Sequence, residues 1–144
     1  MEIRNYQASD IEELIPLYAD LGYPATAEVL RKRLGILLHQ PSYQLLVAVL
    51  DEKVVGFIGF SKLYFFERDG FYYRILASVV GTNYRNQGVA GRLIDEVRER
   101  AYFEGASALA LNSSGIRAER SEAHRFYQNY GFKKTSSGFA LDLS

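Results

Sequence analysis

Between a run of β-branched residues ending at Val80 and an amphipathic stretch beginning at Val89 lies Arg85-Asn86-Gln87-Gly88, followed by Val89-Ala90-Gly91-Arg92. A helix that begins near Gly88 leaves its first four backbone N–H groups without intrahelical acceptors and places the positive end of its dipole there. An anion is stabilised at such a mouth. Gly88 lets the main chain approach a phosphate with no Cβ in the way, and Ala90 and Gly91 keep the next positions small. Arg85 and Arg92 add full positive charge and forked hydrogen-bond donors. The chemistry this spacing offers is the grip of a diphosphate.

For the grip to exist, a strand must deliver the chain to it and a helix must leave it. Residues 71–80 read as that strand. Val89, Leu93, Ile94, Val97 and Ala101 recur at helical spacing with charged residues between them, so one face of the following helix is core and the other is wet. Gly105 closes the helix, and residues 107–111 form a short apolar strand, a crossover that makes a parallel pair. Phosphate sites favour the mouths of such units.

Upstream, residues 3–6 read as a first strand, and Ser9-Asp10-Ile11-Glu12 as a capping box that opens a helix kinked at Pro16. Gly22-Tyr23-Pro24 ends that helix, and Thr26 caps a second one that runs through Leu38. Residues 43–50 and 54–64 pair as a hairpin across Asp51-Glu52-Lys53, and Glu67-Arg68-Asp69-Gly70 turns the chain into residues 71–80, so the sheet is antiparallel up to the loop. A last helix over 121–130, stopped by Gly131, precedes strands at 132–134 and 138–143 that finish the sheet as a hairpin.

The chain has 144 residues, 48% of them hydrophobic, with three prolines and no repeat, which fits a single domain over 1–144. Lys plus Arg and Asp plus Glu both total 17, so there is no bulk positive field and nucleic acid is not an expected partner. Without cysteine there is no disulfide framework, thiol nucleophile or Cys-based metal site, which suits a reducing compartment. Met1-Glu2-Ile3-Arg4 does not read as a leader, and no apolar run approaches the roughly 18 residues of a membrane span, so the expected location is the cytoplasm, off the membrane. Residues 81–91 contain neither Gly-x-x-x-x-Gly-Lys-Ser/Thr nor Gly-x-Gly-x-x-Gly, the marks of a kinase or a dehydrogenase.

Arg85-x-x-Gly88-x-Ala90 resembles the coenzyme A signature of the GCN5-related N-acetyltransferase (GNAT) superfamily. About thirty residues on, Ala123-His124-Arg125-Phe126-Tyr127-Gln128-Asn129-Tyr130-Gly131-Phe132 is similar to the family's second signature, Ala-x-x-x-Tyr-x-x-x-Gly-Phe. The two stand in the family's order, and the element order resembles its fold along nearly the whole chain. The resemblance implies an α/β (α+β) acyl-coenzyme A N-acyltransferase fold: a mixed, mostly antiparallel twisted sheet with a parallel pair splayed at a cofactor cleft, flanked by about four helices. It implies acetyl-coenzyme A as co-substrate, no metal, and a small-molecule or peptide amine as acceptor.

In the family the pantetheine arm lies along the signature strand and bonds its main chain as an added strand would. That role falls on Val79 and Val80, whose side chains serve the core in either case. Arg85, Asn86, Gln87, Gly88, Val89, Ala90, Gly91 and Arg92 correspond to the diphosphate site, and Asn112 to a polar contact after the next strand, unless it serves only the turn. Tyr127 matches the tyrosine that faces the coenzyme sulfur, where a phenol with a pKa of about 10 can protonate a departing thiolate. Tyr127 also shares an apolar helical face with Ala123, Phe126 and Tyr130, so packing is its other role.

Many relatives carry an acidic residue on the signature strand. This chain has Leu76, Ala77 and Ser78. The amine's proton then goes to water or to Glu67, Asp69, Glu119 or Glu122, and a non-catalytic acyl-coenzyme A sensor is the rival reading. Arg120 meets an acidic group or a surface partner, while His124 and His39 lack companions for a metal site. Tyr64, Phe65 and Phe66 with Phe71, Tyr72 and Tyr73 cluster around one turn, as an acceptor pocket or a homodimer interface would require.

Overall fold

A computed structural model describes residues 1–112 and 118–144, the side chains of 118–121 excepted. The strongest sequence signals give the centre of a five-stranded sheet: β2 (Tyr43–Leu50), β3 (Lys53–Tyr64) and β4 (Phe71–Val80), each rich in β-branched and aromatic residues. With β1 (Glu2–Asn5) and β5 (Leu109–Leu111) the order is β1-β2-β3-β4-β5. Pairing is antiparallel from β1 to β4. β5 runs parallel to β4, as the crossover requires: Ser107 N–H donates to Phe71 C=O at 2.9 Å and Tyr73 N–H to Ala108 C=O at 3.0 Å. The β2–β3 turn takes Asp51 and Glu52 to φ 51° and 65°, the left-handed pair whose twist suits a two-residue hairpin.

Helices α1 (Ile11–Leu21) and α2 (Ala27–His39) bury Ile11, Leu14, Leu17, Leu30 and Leu34 against Leu45, Val47, Phe57 and Val79. Because successive strand side chains alternate faces, Leu46, Ile58 and Phe60 point to the other side, where α3 (Val89–Glu104) brings Val89, Leu93, Ile94, Val97 and Ala101. Each fully buried aliphatic side chain contributes about 1.5–3 kcal/mol, so the two faces together fix the sheet in register. At the far end of α3, the buried Tyr73 hydroxyl donates to Glu104. This bond, with Lys62 nearby, holds the Glu104 carboxyl below its usual range; burial, reinforced by Glu104, pushes the phenol up.

Residues 1–110 and 111–144 form two compact units. In the second, α4 (Ala118–Tyr130) starts three residues earlier than the sequence suggests and ends at Gly131, whose φ of 127° only glycine adopts readily.

Several expectations are corrected. Ser9 and Glu12 do not cap α1: Asp10 stands at its N-cap position without a side-chain cap bond, and its carboxylate instead reaches back over the 3-10 turn Ala8–Asp10, accepting the Gln7 N–H at 2.8 Å and both Arg4 terminal nitrogens at 2.9 Å. A buried, doubly bonded carboxylate outcompetes a surface hydroxyl. Thr26 caps α2 as expected, accepting the Val29 N–H at 3.2 Å. The closing hairpin is absent: residues 132–144 carry no strand, and Phe139, Leu141 and Leu143 within it are 84–97% exposed. An apolar segment forms a strand only where a neighbour takes its hydrogen bonds.

Candidate functional site

The register of β3 and β4 decides which main-chain groups of the signature strand are available. Val80 stands opposite Gly56, Val79 opposite Phe57 and Ser78 opposite Ile58. One position further, Gly81 N–H donates to Val55 C=O at 2.8 Å. Bonded and non-bonded pairs alternate along an antiparallel ladder, so Val79–Phe57 is bonded while Val80–Gly56 and Ser78–Ile58 are not. The amide and carbonyl groups of Ser78 and Val80 therefore turn away from β3, toward the edge that β5 follows. Arg85 marks the direction: its Nε donates to Val80 C=O at 3.4 Å. With Ala108 bonded to Tyr73, the three residues of β5 end level with about Leu76, so the last turn of β4's edge extends past them.

Of the two valines named from sequence, Val80 offers its main chain to that edge, whereas Val79 spends its own on Phe57 and buries its side chain against α1 and α2. Ser78, which no residue pattern singled out, joins Val80. The signal is a parity, and it needed the Gly81 bond to set it.

Beyond β4, a single 3-10 turn (Thr82–Tyr84) leads to Arg85, then Asn86 at φ 63° and Gly88 at φ 81°. Gly88 is the N-cap of α3 and has no side chain with which to cap it. The first intrahelical bond is Arg92 N–H to Gly88 C=O at 3.1 Å, so the amides of Val89, Ala90 and Gly91 precede the ladder. A Cβ built on Gly88 or Gly91 would meet nothing within 4 Å. Gly88 is thus favoured by its backbone angle rather than by want of room, and a Cβ at either glycine would meet no neighbour. Arg85, Asn86, Gln87 and Arg92 are exposed around it, Gln87 donating to Asn83 C=O at 3.4 Å, while Val89 turns into the core.

Gly56 is a residue that sequence reasoning missed. A Cβ there would lie 2.9 Å from Val79 O, 3.4 Å from Val80 Cα and 3.4 Å from Val89 Cγ1. Its bareness lets the end of β4 and the start of α3 close on β3 together.

In the second unit, Tyr127 packs edge-on against Phe126 and Phe132 at centroid distances of 5.6 and 6.0 Å. Gly131 and Phe132 both donate N–H to Tyr127 C=O, at 3.2 and 3.0 Å, which explains the Gly-Phe of the motif as the helix stop. Burial pushes the Tyr127 phenol above its usual range, so it is protonated at neutral pH. Asn112 is exposed one residue past β5, and Glu122 is exposed on α4. The rest of the Asn112-to-Gly115 turn and the side chains of Glu119 and Arg120 lie outside the described residues.

Glu67 and Asp69 sit in the turn before Phe71; at about 3.3 Å per residue, β4 carries Ser78 some 20 Å further on. The aromatic cluster belongs to that same remote end and largely satisfies itself. Tyr64 stacks with Phe71 at 5.6 Å and Phe65 with Tyr72 at 5.0 Å, with Lys62 and Arg68 each 4.1 Å above a ring, although Phe66 is fully exposed. A cavity of about 400 Å³ lies along the outer side of α3, among Gln44, Glu96, Glu99, Arg100, Phe103 and Glu104, away from the loop. The candidate site is the edge of β4 at Ser78 and Val80 together with the mouth of α3. Among the described residues no group of His, Asp or Glu could hold a metal, and no helix is long and apolar enough to cross a membrane.

Comparison with known proteins points the same way. Residues 8–132 match the model of the acetyltransferase (GNAT) family. A GNAT family acetyltransferase from Staphylococcus aureus superimposes with a TM-score of 0.85 at 31% identity, over 99% of this chain and 98% of that one. A ribosomal-protein-alanine N-acetyltransferase from Brucella melitensis shares the fold with a TM-score of 0.82 at 21% identity, over 99% and 100%. So does an aminoglycoside 6'-N-acetyltransferase from Acinetobacter haemolyticus, with a TM-score of 0.83 at 16% identity, over 100% and 99%. No curated protein sequence matches the chain.

Proposed function

The chain belongs to the GNAT acetyltransferase family, and on that premise we propose that it moves the acetyl group of acetyl-coenzyme A to a primary amine of a small molecule or peptide by direct attack. The observation that carries this reading is the outward parity of Ser78 and Val80 next to the uncapped mouth of α3. An edge amide and carbonyl two residues apart suit the amides of a pantetheine arm. The amides of Val89, Ala90 and Gly91, with Arg85 and Arg92, suit its diphosphate.

Tyr127 supplies the proton for the departing thiolate, a role that rests on its motif and on a phenol kept neutral by burial. The amine must arrive neutral, and with Leu76, Ala77 and Ser78 on the strand its proton passes to water. The cytoplasm, where a chain without cysteine needs no disulfides, is the expected setting.

The test is thiol release from acetyl-coenzyme A over a panel that includes aminoglycosides, polyamines and peptides with free N-termini, beside calorimetric titration of coenzyme A. Binding with release for at least one amine supports the reading. Tight binding with no release across the panel would favour the sensor, which the missing strand carboxylate also suits. No heat on titration would overturn both.

A further inference from the structure

Asp20 lies in the last turn of α1, where the helix dipole disfavours a carboxylate, and its side chain is exposed, so the core does not need it. Its Oδ2 nevertheless accepts the Thr82 N–H at 3.2 Å, across 62 residues of sequence. Thr82 opens the turn that precedes the diphosphate loop, and its neighbour Gly81 donates to Val55 C=O at 2.8 Å. Two consecutive amides are thereby tied to two different elements, β3 and α1. Tyr84 N–H closes the turn onto Gly81 C=O at 2.9 Å, and a Cβ on Gly81 would meet Leu17 of α1 at 3.4 Å, so α1 already presses on this corner. From the closed turn the chain needs only four residues to reach Gly88.

We propose that Asp20 is a positioning residue: it anchors the start of the diphosphate loop to α1 and so holds Arg85 and the mouth of α3 ready for the ligand. The inference rests on the coenzyme reading above. A carboxylate this close to a diphosphate loop repels the ligand, and only a gain from ordering the loop offsets that. The two effects separate cleanly by substitution. Alanine removes both the anchor and the charge, whereas asparagine keeps an acceptor oxygen and removes only the charge.

Coenzyme A is titrated by calorimetry into the wild type, D20A and D20N, with thermal melts alongside and steady-state kinetics against the best amine of the panel. D20A is expected to raise the dissociation constant and the KM for acetyl-coenzyme A about 5-fold or more with kcat unchanged, and to melt within about 2 °C of the wild type. D20N is expected to bind as tightly as the wild type or tighter. D20A with unchanged or improved affinity overturns the anchor, as does D20N weakened as much as D20A. A wild type that takes up no coenzyme A overturns the coenzyme reading itself, a result distinct from either.

Discussion

Gly56→Ala places one methyl group where β3, β4 and α3 meet, and the structure gives the size of the collision. The new Cβ would sit 2.9 Å from the Val79 carbonyl oxygen and 3.4 Å from both Val80 Cα and Val89 Cγ1. The nearest of these is backbone, which cannot rotate away, so β4 must move by about half an ångström just where Ser78 and Val80 face outward. Overpacking of this kind costs about 1–3 kcal/mol. For a chain of this length that is about 3–10 °C in melting temperature.

Gly59→Ala on the same strand is the control. Its Cβ would meet only the Leu45 side chain at 3.8 Å and Gln44 O at 3.9 Å, so it should melt at or slightly above the wild type, as alanine for glycine restricts the unfolded chain. Thermal unfolding of both variants and calorimetric titration of coenzyme A at a temperature where each is folded make the comparison. Gly56→Ala is expected to lose stability and affinity together, and Gly59→Ala neither. Equal melting temperatures, or a destabilised Gly56→Ala with intact affinity, would refute the claim that this glycine shapes the site.

Tyr127→Phe keeps the ring contacts with Phe126 and Phe132 and removes the phenol, so kcat should fall about 10²-fold or more while coenzyme affinity stays within about 2-fold; equal kcat in the two proteins would leave Tyr127 a packing residue. Asp10 is held below its usual range first by its hydrogen bonds with Arg4, so it stabilises the fold above the unfolded-state value of about 3.9, and that contribution is lost as pH falls through the lower folded value. Asp10→Asn should cost about 1–3 kcal/mol at pH 7 and flatten the acid limb of stability, and an unchanged limb would count against the Arg4 clamp. With no carboxylate on β4, and water as the base, kcat/KM for an alkyl-amine acceptor should rise about tenfold per pH unit from pH 6 toward the amine pKa of about 10.4; a plateau below pH 8 with such an acceptor would count against water as the base.

How much of this was legible depended on whether the deciding interaction was local. β2 and β4 begin and end where their β-branched and aromatic runs do, because such residues form strands in almost any register. Gly88 and Gly131 were legible because a left-handed residue at a helix end needs glycine. Ser9 misled because the competing carboxylate is one residue on and its partner, Arg4, lies in another element. Residues 138–143 misled because apolar residues there say nothing of which strand would take their backbone hydrogen bonds. Gly56 and Ser78 were silent, since each matters only through a neighbour 24 or 20 positions away across the β3–β4 pair.

On the proposed reading, the parity of β4 would let this strand do without a carboxylate and still hold the coenzyme. Its main chain divides by residue: Val79 is bonded into the sheet, while Ser78 and Val80 are turned to the open edge. Its side chains divide by the same alternation, Val79 and Ala77 packing toward α1 and α2 while Ser78 and Val80 take the opposite face. Backbone binding at the edge therefore asks nothing of the side chains at 76, 77 and 78. Leu76, Ala77 and Ser78 can replace an acidic residue at no cost to the grip, because a strand edge recognises amides whatever side chains it carries. On that reading binding and proton removal are separable, and a variant should be able to lose the second while keeping the first intact.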